Sequence, residues 1–240
     1  MTPPSSQALL SAIEATWPSA RRWERDGVVF HDGAGGGKRV SAARARHGLT
    51  DAQRAVAERE MQQMGQAPLF MLTGADAQAD DCLARSGYDV VDPTRVWLAP
   101  VYTLTDTPLP PVTAFCIWEP LAIMHEIWEQ GGICAARRAV MARAKHKTGI
   151  LLRNRDKPAG VAFVARHGDV AMVHALEILP EQRRQGVAGW AMRAAAFWAR
   201  ASGADWMSVL CTEANGPANA LYASLGFEDV MRYHYRKKRV

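Results

Sequence analysis

The stretch "ILPEQRRQGVAGWAM", residues 178–192, puts two arginines and two glycines where a strand turns into a helix. Ile178 and Leu179 end an apolar run, Pro180 stops it, and a charged turn Glu181–Gln182–Arg183–Arg184–Gln185 follows. Gly186 and Gly189 then bracket Val187 and Ala188, and an Ala/Trp-rich helical run begins. A strand that turns sharply into a helix aims several free backbone N–H groups into one concavity, where the helix dipole adds positive charge. Glycine has no Cβ, so a ligand can approach that backbone closely. Phosphate is the usual occupant of such a site, and Arg183 and Arg184 would add two full charges. A plain βα connection with a solvated arginine pair has the same appearance. The turn has no Gly-Lys-Ser/Thr and no dinucleotide-type glycine pattern, so those two phosphate loops do not describe it.

The surrounding elements decide between these readings. Downstream of a Pro-rich segment "LTDTPLPPV" (104–112), expected to be a linker, comes a short strand "TAFCIW" (113–118). Helices are expected near 119–130 and 134–146. Strands "GILLRN" (149–154) and "GVAFVARHG" (160–168) flank the hairpin turn "RDKPAG", and "VAMVHALEIL" (170–179) leads into the opening stretch. A helix over 187–202, a strand "WMSVLCT" (206–212), a helix over 216–225 and a strand "EDVMRYHYRKK" (228–238) complete the chain. Mixed strands and helices in this order indicate an α/β or α+β architecture.

A second motif, "NGPANALYASLGF" (215–227), holds Asn215, Ala218, Leu221, Tyr222, Gly226 and Phe227 in fixed register. "RRQGVA" at a strand–helix turn, followed after the next strand by "NxxAxxLYxxLGF", resembles the GNAT superfamily of acyl-CoA N-acyltransferases. The resemblance implies a mixed, splayed sheet flanked by helices, with acetyl-CoA in the cleft between the two central strands. It assigns Arg183 to Ala188 to the pyrophosphate of coenzyme A, with Gly189 continuing the turn. The cofactor-contacting set it implies is Ile178, Leu179, Arg183, Arg184, Gln185, Gly186, Val187, Ala188, Gly189, Asn215 and Ala218. Asn215 would hydrogen-bond the pantetheine arm or cap the helix it opens.

Acyl transfer to an amine needs a polarised thioester carbonyl, an oriented amine, a base for its proton and an acid for the leaving thiolate. The carbonyl would be polarised by a backbone N–H near Ile178. The resemblance places the acid at Tyr222, and a phenol of pKa about 10 suits a thiolate. The base is His174 or Glu177, on the strand leading to the turn. Strand alternation puts these two on opposite faces, so both reach one site only if the strand bulges. The expected function is acetyl-CoA-dependent N-acetylation of a primary amine, on a small molecule or a protein. The alternative is a non-catalytic acyl-CoA-binding module.

The first half echoes the second. Shifted by 139 positions, "FMLTGADAQADDCLARSGYDVV" (70–91) lies on "VLCTEANGPANALYASLGFEDV" (209–230). Thr73 meets Thr212, Gly87 meets Gly226 and Tyr88 meets Phe227. Leu83 stands where the second half has Tyr222, and "RARHGLT" (44–50) replaces the glycine turn. Residues 1–103 are therefore expected to be a degenerate GNAT-like domain, and 112–240 the catalytic one. In the first half, strands are expected at 27–33 and 39–45, a helix at 50–64 opened by Thr50 or Asp51, a strand at "PLFMLT", a helix at 75–86 and strands around 88–99. Trp17, Trp23 and Trp97 are expected to serve packing.

The chain has 240 residues, 48% of them hydrophobic, which is enough to bury a core in one domain or two. A net charge of +5 suits a polyanionic ligand without implying nucleic acid, and the tail "RKKR" reads as a solvated end. Cys82, Cys116, Cys134 and Cys211 form no metal spacing and read as reduced thiols of a cytoplasmic protein. No signal peptide or membrane span is expected, nor is a membrane or nucleic-acid partner. The partners expected are acetyl-CoA and an amine acceptor, on a monomer or homodimer.

Overall fold

The computed structural model describes residues 2–239. In chain order the first half forms helix α1 (Ser6–Thr16), strands β1 (Arg21–Arg25), β2 (Val28–Asp32) and β3 (Arg44–Ala45), α2 (Asp51–Gln63), β4 (Leu69–Thr73), α3 (Ala77–Arg85) and β5 (Tyr88–Pro100). The second half forms β6 (Ala114–Ile117), α4 (Ala122–Gln130), α5 (Ala135–Arg143), β7 (His146–Asn154), β8 (Lys157–His167), β9 (Val170–Ile178), α6 (Val187–Ala201), β10 (Trp206–Thr212), α7 (Gly216–Ser224) and β11 (Glu228–Lys238).

From β4 onward these elements follow the expected order. Before it, α1 and β1 are additions. Ser5 caps α1 by accepting the Ala8 N–H at 3.2 Å, and Leu9, Leu10, Ala12 and Ile13 form its buried stripe. β1 and β2 pair through Asp26–Gly27, both at positive φ, which is the Asp-Gly signature of a two-residue hairpin. The strand expected over 39–45 shrinks to β3, because a 3-10 turn occupies Lys38–Val40. Helix α5 stops at Arg143, short of the expected 146. Lys147 Nζ donates to the carbonyls of Ala142 and Ala144, both at 2.6 Å, and so satisfies the helix end.

The chain forms two compact units that interleave its halves. The first holds the residues up to Pro18, Trp97–Leu210 and Pro217–Glu228; the second holds Ser19–Val96, Cys211–Gly216 and the residues from Asp229 on. The units therefore do not part at the Pro-rich 104–112 segment. The N-terminal helix groups with the second half because its apolar stripe packs on β8 and β9. The last strand groups with the first half because β11 pairs antiparallel with β4, Tyr233 opposite Thr73 through Lys237 opposite Leu69.

In the first unit the strands run β10-β9-β8-β7-β6, with β10 parallel to β9 and the rest antiparallel. β8 is buried from Ala159 to Ala165 without alternation, which requires cover on both faces. α1 and α4 pack on β8 and β9, and α6 crosses β6 to β9. α6 buries Ala191, Ala194, Ala195, Ala196 and Ala199, small side chains that let it lie close to the sheet.

In the second unit, α2 begins with a capping box between Thr50 and Gln53. The core gathers Phe30, Leu49, Met61, Phe70, Leu72, Leu83 and Tyr88. Leu83, the counterpart of Tyr222 in the shifted alignment, is fully buried there. The strand–helix–strand run β4–α3–β5 repeats as β10–α7–β11 at the shift of 139 that the sequence shows.

Candidate active site

β9 contains the irregularity that its two candidate bases require. Phe163 pairs with His174, and Val161 pairs with Glu177, so three steps on β9 oppose two on β8. Ala175 absorbs the extra residue at φ 48°, a left-handed conformation uncommon for a non-glycine. Trp128 of α4 holds the bulge by donating its indole N–H to the Ala175 carbonyl at 2.9 Å. Paired residues of antiparallel strands share a face, so His174 and Glu177 lie on the same side, with Phe163 and Val161.

The two side chains have different surroundings. His174 is 5% exposed, its ring is 5.1 Å from Trp17 and 6.2 Å from Phe163, and its Nε2 is 3.0 Å from the Thr16 hydroxyl. Glu177 is partly exposed and lies across Gly131, where an added Cβ would stand 2.5 Å from its carboxyl carbon. Burial pushes the Glu177 carboxyl above its ordinary pKa, and the charges of Arg183 and Arg137 pull it part of the way back.

β9 loses its parallel neighbour just before the bulge. The register with β10 runs from Val170–Trp206 to Val173–Val209 and stops, while β9 continues to Ile178. Gly160 faces Ile178 where a Cβ would fall 2.5 Å from the Glu177 carbonyl, so the close approach excludes a side chain. The Leu179 N–H donates to the Ala159 carbonyl at 3.0 Å, and the chain then turns through Pro180–Gln182.

The turn closes on its own side chains. Arg183 Nε donates to the Ile178 carbonyl at 3.0 Å, and Gln185 Nε2 to the Glu181 carbonyl at 2.8 Å. Arg184 (φ 57°) and Gly186 (φ 79°) take left-handed backbone, which at Gly186 starts α6. No side chain caps α6, and its first backbone bond is Trp190 N–H to the Gly186 carbonyl at 3.2 Å. The N–H groups of Val187, Ala188 and Gly189 therefore point out of the helix end, as anion binding requires. A Cβ at Gly186 or at Gly189 would meet nothing within 4 Å, so the space above this end is open.

A family description, the Acetyltransferase (GNAT) family, matches residues 116–227. Over those residues, a little under half of the chain, the sequence is similar to a GNAT acetyltransferase domain. Members of this family use acetyl-CoA as a substrate. A GCN5-related N-acetyltransferase from Kribbella flavida is similar in structure, with a TM-score of 0.75 at 19% identity, covering 97% of this chain and 95% of its own. A tandem GNAT protein from the clavulanic acid biosynthesis pathway has a TM-score of 0.60 at 15% identity, over 98% of this chain and 88% of its own. A GNAT-family acetyltransferase described as putative, from Novosphingobium aromaticivorans, has a TM-score of 0.57 at 17% identity, over 91% and 92%. No curated protein matches the sequence. Among the described residues no helix is long and apolar enough to cross a membrane.

Within the matched residues 116–227, the turn from Ile178 to Gly189 is one continuous feature, and His174 and Glu177 precede it on one face. Tyr222 sits apart on α7, 6% exposed, with its ring 6.4 Å from Trp97 and 6.1 Å from Phe227. Trp97 donates its indole N–H to Asn219 Oδ1 at 2.9 Å, one turn from Tyr222 on the same helix. Ala218 is on α7 as well. Asn215 immediately precedes α7, and by its contacts it belongs to the second unit.

Several contributing residues escaped the sequence reading. Asn154, the last residue of β7, donates to Gln182 Oε1 at 2.8 Å and to Gln185 Oε1 at 3.0 Å, fastening the turn to the hairpin. Gly131, Arg137 and Trp128 surround Glu177 and the bulge from α4, α5 and the loop between them. Their only sequence signal is Gly131–Gly132 between two helical runs. The exposed cysteines are Cys116 and Cys134; Cys82 and Cys211 are buried, and all four are free.

Proposed function

We propose that the chain is an acetyl-CoA-dependent N-acetyltransferase that acetylates a primary amine by direct attack on the thioester. The observation that carries this reading is the bulge at Ala175. It turns Glu177 to the same face as His174, on the strand that runs into the turn before α6, and this supports a partly buried carboxylate working with the proposed pyrophosphate turn.

When bound, acetyl-CoA supplies a thioester as the acyl donor. The N–H groups of Val187, Ala188 and Gly189 hold its pyrophosphate, Arg183 and Arg184 add charge, and Ile178, Leu179 and Ala218 contact the pantetheine arm. The Ile178 N–H polarises the carbonyl. Glu177 is the base, acting through water: its raised pKa makes it a better acceptor than an ordinary carboxylate. It takes the proton from the amine as the C–N bond forms. Tyr222 gives its phenolic proton to the sulfur as the C–S bond breaks. His174 is a positioning residue that fixes β9 against α1 through Thr16. The first half is a degenerate GNAT-like domain: it keeps the strand–helix–strand scaffold but has Leu83 in the core and no glycine turn.

Calorimetric titration with acetyl-CoA, paired with thiol release over a panel of primary amines, tests the proposal. One site per chain and amine-dependent thiol release are expected. Two sites would overturn the degenerate-domain reading. Binding with no thiol release across the panel would make the chain an acyl-CoA-binding module.

A further inference from the structure

The connection between α4 and α5 lies against the Glu177 carboxyl. An added Cβ at Gly131 would stand 2.5 Å from the carboxyl carbon, so any side chain there would displace it. The connection is fastened at several points. The Ile133 N–H donates to the carbonyl of Trp128, the residue that holds the β9 bulge, at 2.7 Å. Arg138 Nη1 donates to the Ile133 carbonyl at 2.9 Å and pairs with Glu129. The start of α5 is thereby anchored near the end of β9 that carries Glu177.

Arg137, next to Arg138, has no such bonds. It is the third residue of α5 and half-buried, and its guanidinium makes no hydrogen bond or ion pair among the described residues. Its charge nonetheless reaches the Glu177 carboxyl and opposes the effect of burial there. Helix stability does not account for a cation at this place. The first turn of α5 carries no acidic residue, and a positive charge there meets the positive end of the helix dipole. A half-buried guanidinium has also given up water without gaining an acceptor from the protein. Arg183, the other cation acting on Glu177, already donates to the Ile178 carbonyl at the proposed pyrophosphate turn. Arg137 is therefore the cation at this site that neither the protein nor the coenzyme occupies.

We infer that Arg137 binds a carboxylate of the acceptor, and that the acceptor is an amino acid, its amine directed to Glu177 and its carboxylate held on the guanidinium. The inference rests on the N-acetyltransferase reading above and names its substrate class. A guanidinium fork matches both oxygens of a carboxylate, which gives direction as well as attraction. An acceptor held at its carboxylate has its amine confined to a short radius, and that orients the nitrogen for attack on the thioester. The anion also supplies the acceptor that the guanidinium lacks.

The test is thiol release from acetyl-CoA by the full chain, over a panel in which each amino acid is set beside its carboxamide and beside the plain amine lacking the carboxyl group. The carboxamide keeps the amine and the side chain and removes only the anion. The native protein should use its best amino acid with a kcat/KM on the order of tenfold or more above that of the matching carboxamide, the scale of a hydrogen bond to a charged group. In Arg137→Gln that ratio should fall towards one. Arg137→Lys should keep part of it, because the charge remains and the fork is lost. Arg137→Gln should also unfold at or above the native temperature, since the start of α5 loses a repelled charge. Carboxamides or plain amines used by the native protein as well as the amino acids, or a ratio kept in Arg137→Gln, overturn the inference and leave the N-acetyltransferase reading standing. Absence of thiol release with every member of the panel overturns the N-acetyltransferase reading, and the acceptor class with it.

Discussion

Thr16 Oγ1 and His174 Nε2 lie 3.0 Å apart across 158 residues of sequence. The Thr16 hydroxyl already donates to the Ala12 carbonyl at 2.6 Å, so its oxygen accepts from His174, and Nε2 carries the hydrogen. On the proposed reading, a ring held this way, 5% exposed and packed on Trp17, fixes a strand and leaves the substrate proton to Glu177. Thr16→Val keeps the shape and strands the imidazole N–H. It should cost ~1–3 kcal/mol of stability and leave kcat within a fewfold of native. Denaturant unfolding with parallel kinetics checks this; a kcat collapse without destabilisation would put His174 in the proton path.

Glu177 should behave in the opposite way. Its carboxyl pKa is raised by burial, so the folded state binds its proton more tightly than the unfolded chain does. The stabilisation this brings is complete below the unfolded pKa and is lost as pH rises through the folded one, so at neutral pH the buried carboxylate weighs against folding. Glu177→Gln should therefore unfold at a slightly higher temperature at pH 7. It should also lose on the order of 100-fold or more in kcat and the acidic limb of the pH–rate profile. Native kcat in this variant, or an unchanged acidic limb, would remove Glu177 as base.

Gly189 separates phosphate binding from backbone strain. Gly186 needs its positive φ of 79°, so any substitution there strains the turn. Gly189 has no such constraint, and its Cβ would enter open space at the helix start, tilted towards the N-terminus. Gly189→Val should raise the KM for acetyl-CoA at least tenfold while stability holds or rises, because glycine is a poor helix former. An unchanged KM in the folded variant would detach the coenzyme from this helix end.

Asp80 reports on the last strand. The guanidinium of Arg236 on β11, and after it His234, hold the Asp80 carboxyl at about 2 against an ordinary 3.8. A depressed carboxylate adds stability above its unfolded pKa and loses it as pH falls through the folded value. Asp80→Asn should cost ~2 kcal/mol at pH 7, and the difference should shrink between pH 3.8 and about 2. Equal destabilisation at pH 7 and pH 2 would show that packing, not the ion pair, accounts for the loss.

How far the sequence could be read follows from how local each cause is. Gly186 and the arginines before it state a strand–helix turn within a few residues, and the turn stands where they predict it. The same holds for the strand–helix–strand repeat, set by periodicity and by Gly87 and Gly226 after the helices. Sequence logic also gave the condition for His174 and Glu177 to share a face, a bulge, but Ala175 carries no glycine to announce it. Its left-handed backbone is held by Trp128, 47 positions away. Asn154 looked like any hairpin residue because its partners Gln182 and Gln185 are 28 and 31 positions off. The exchange of α1 and β11 between the units has no local signature at all, since an apolar stripe states that it needs cover and not which surface supplies it.

Tyr222 tests the central claim most directly, because Tyr222→Phe keeps the ring between Trp97 and Phe227 and removes only the hydroxyl. The measurement is kcat for thiol release from acetyl-CoA with the best primary amine of the panel, native protein against Tyr222→Phe, with acetylated amine quantified alongside. Thiol and acetylamine should appear in equal amounts. The variant should lose on the order of 100-fold in kcat while its KM for acetyl-CoA barely moves. Native kcat in the variant, or thiol released by the native protein without acetylated amine, would contradict the account.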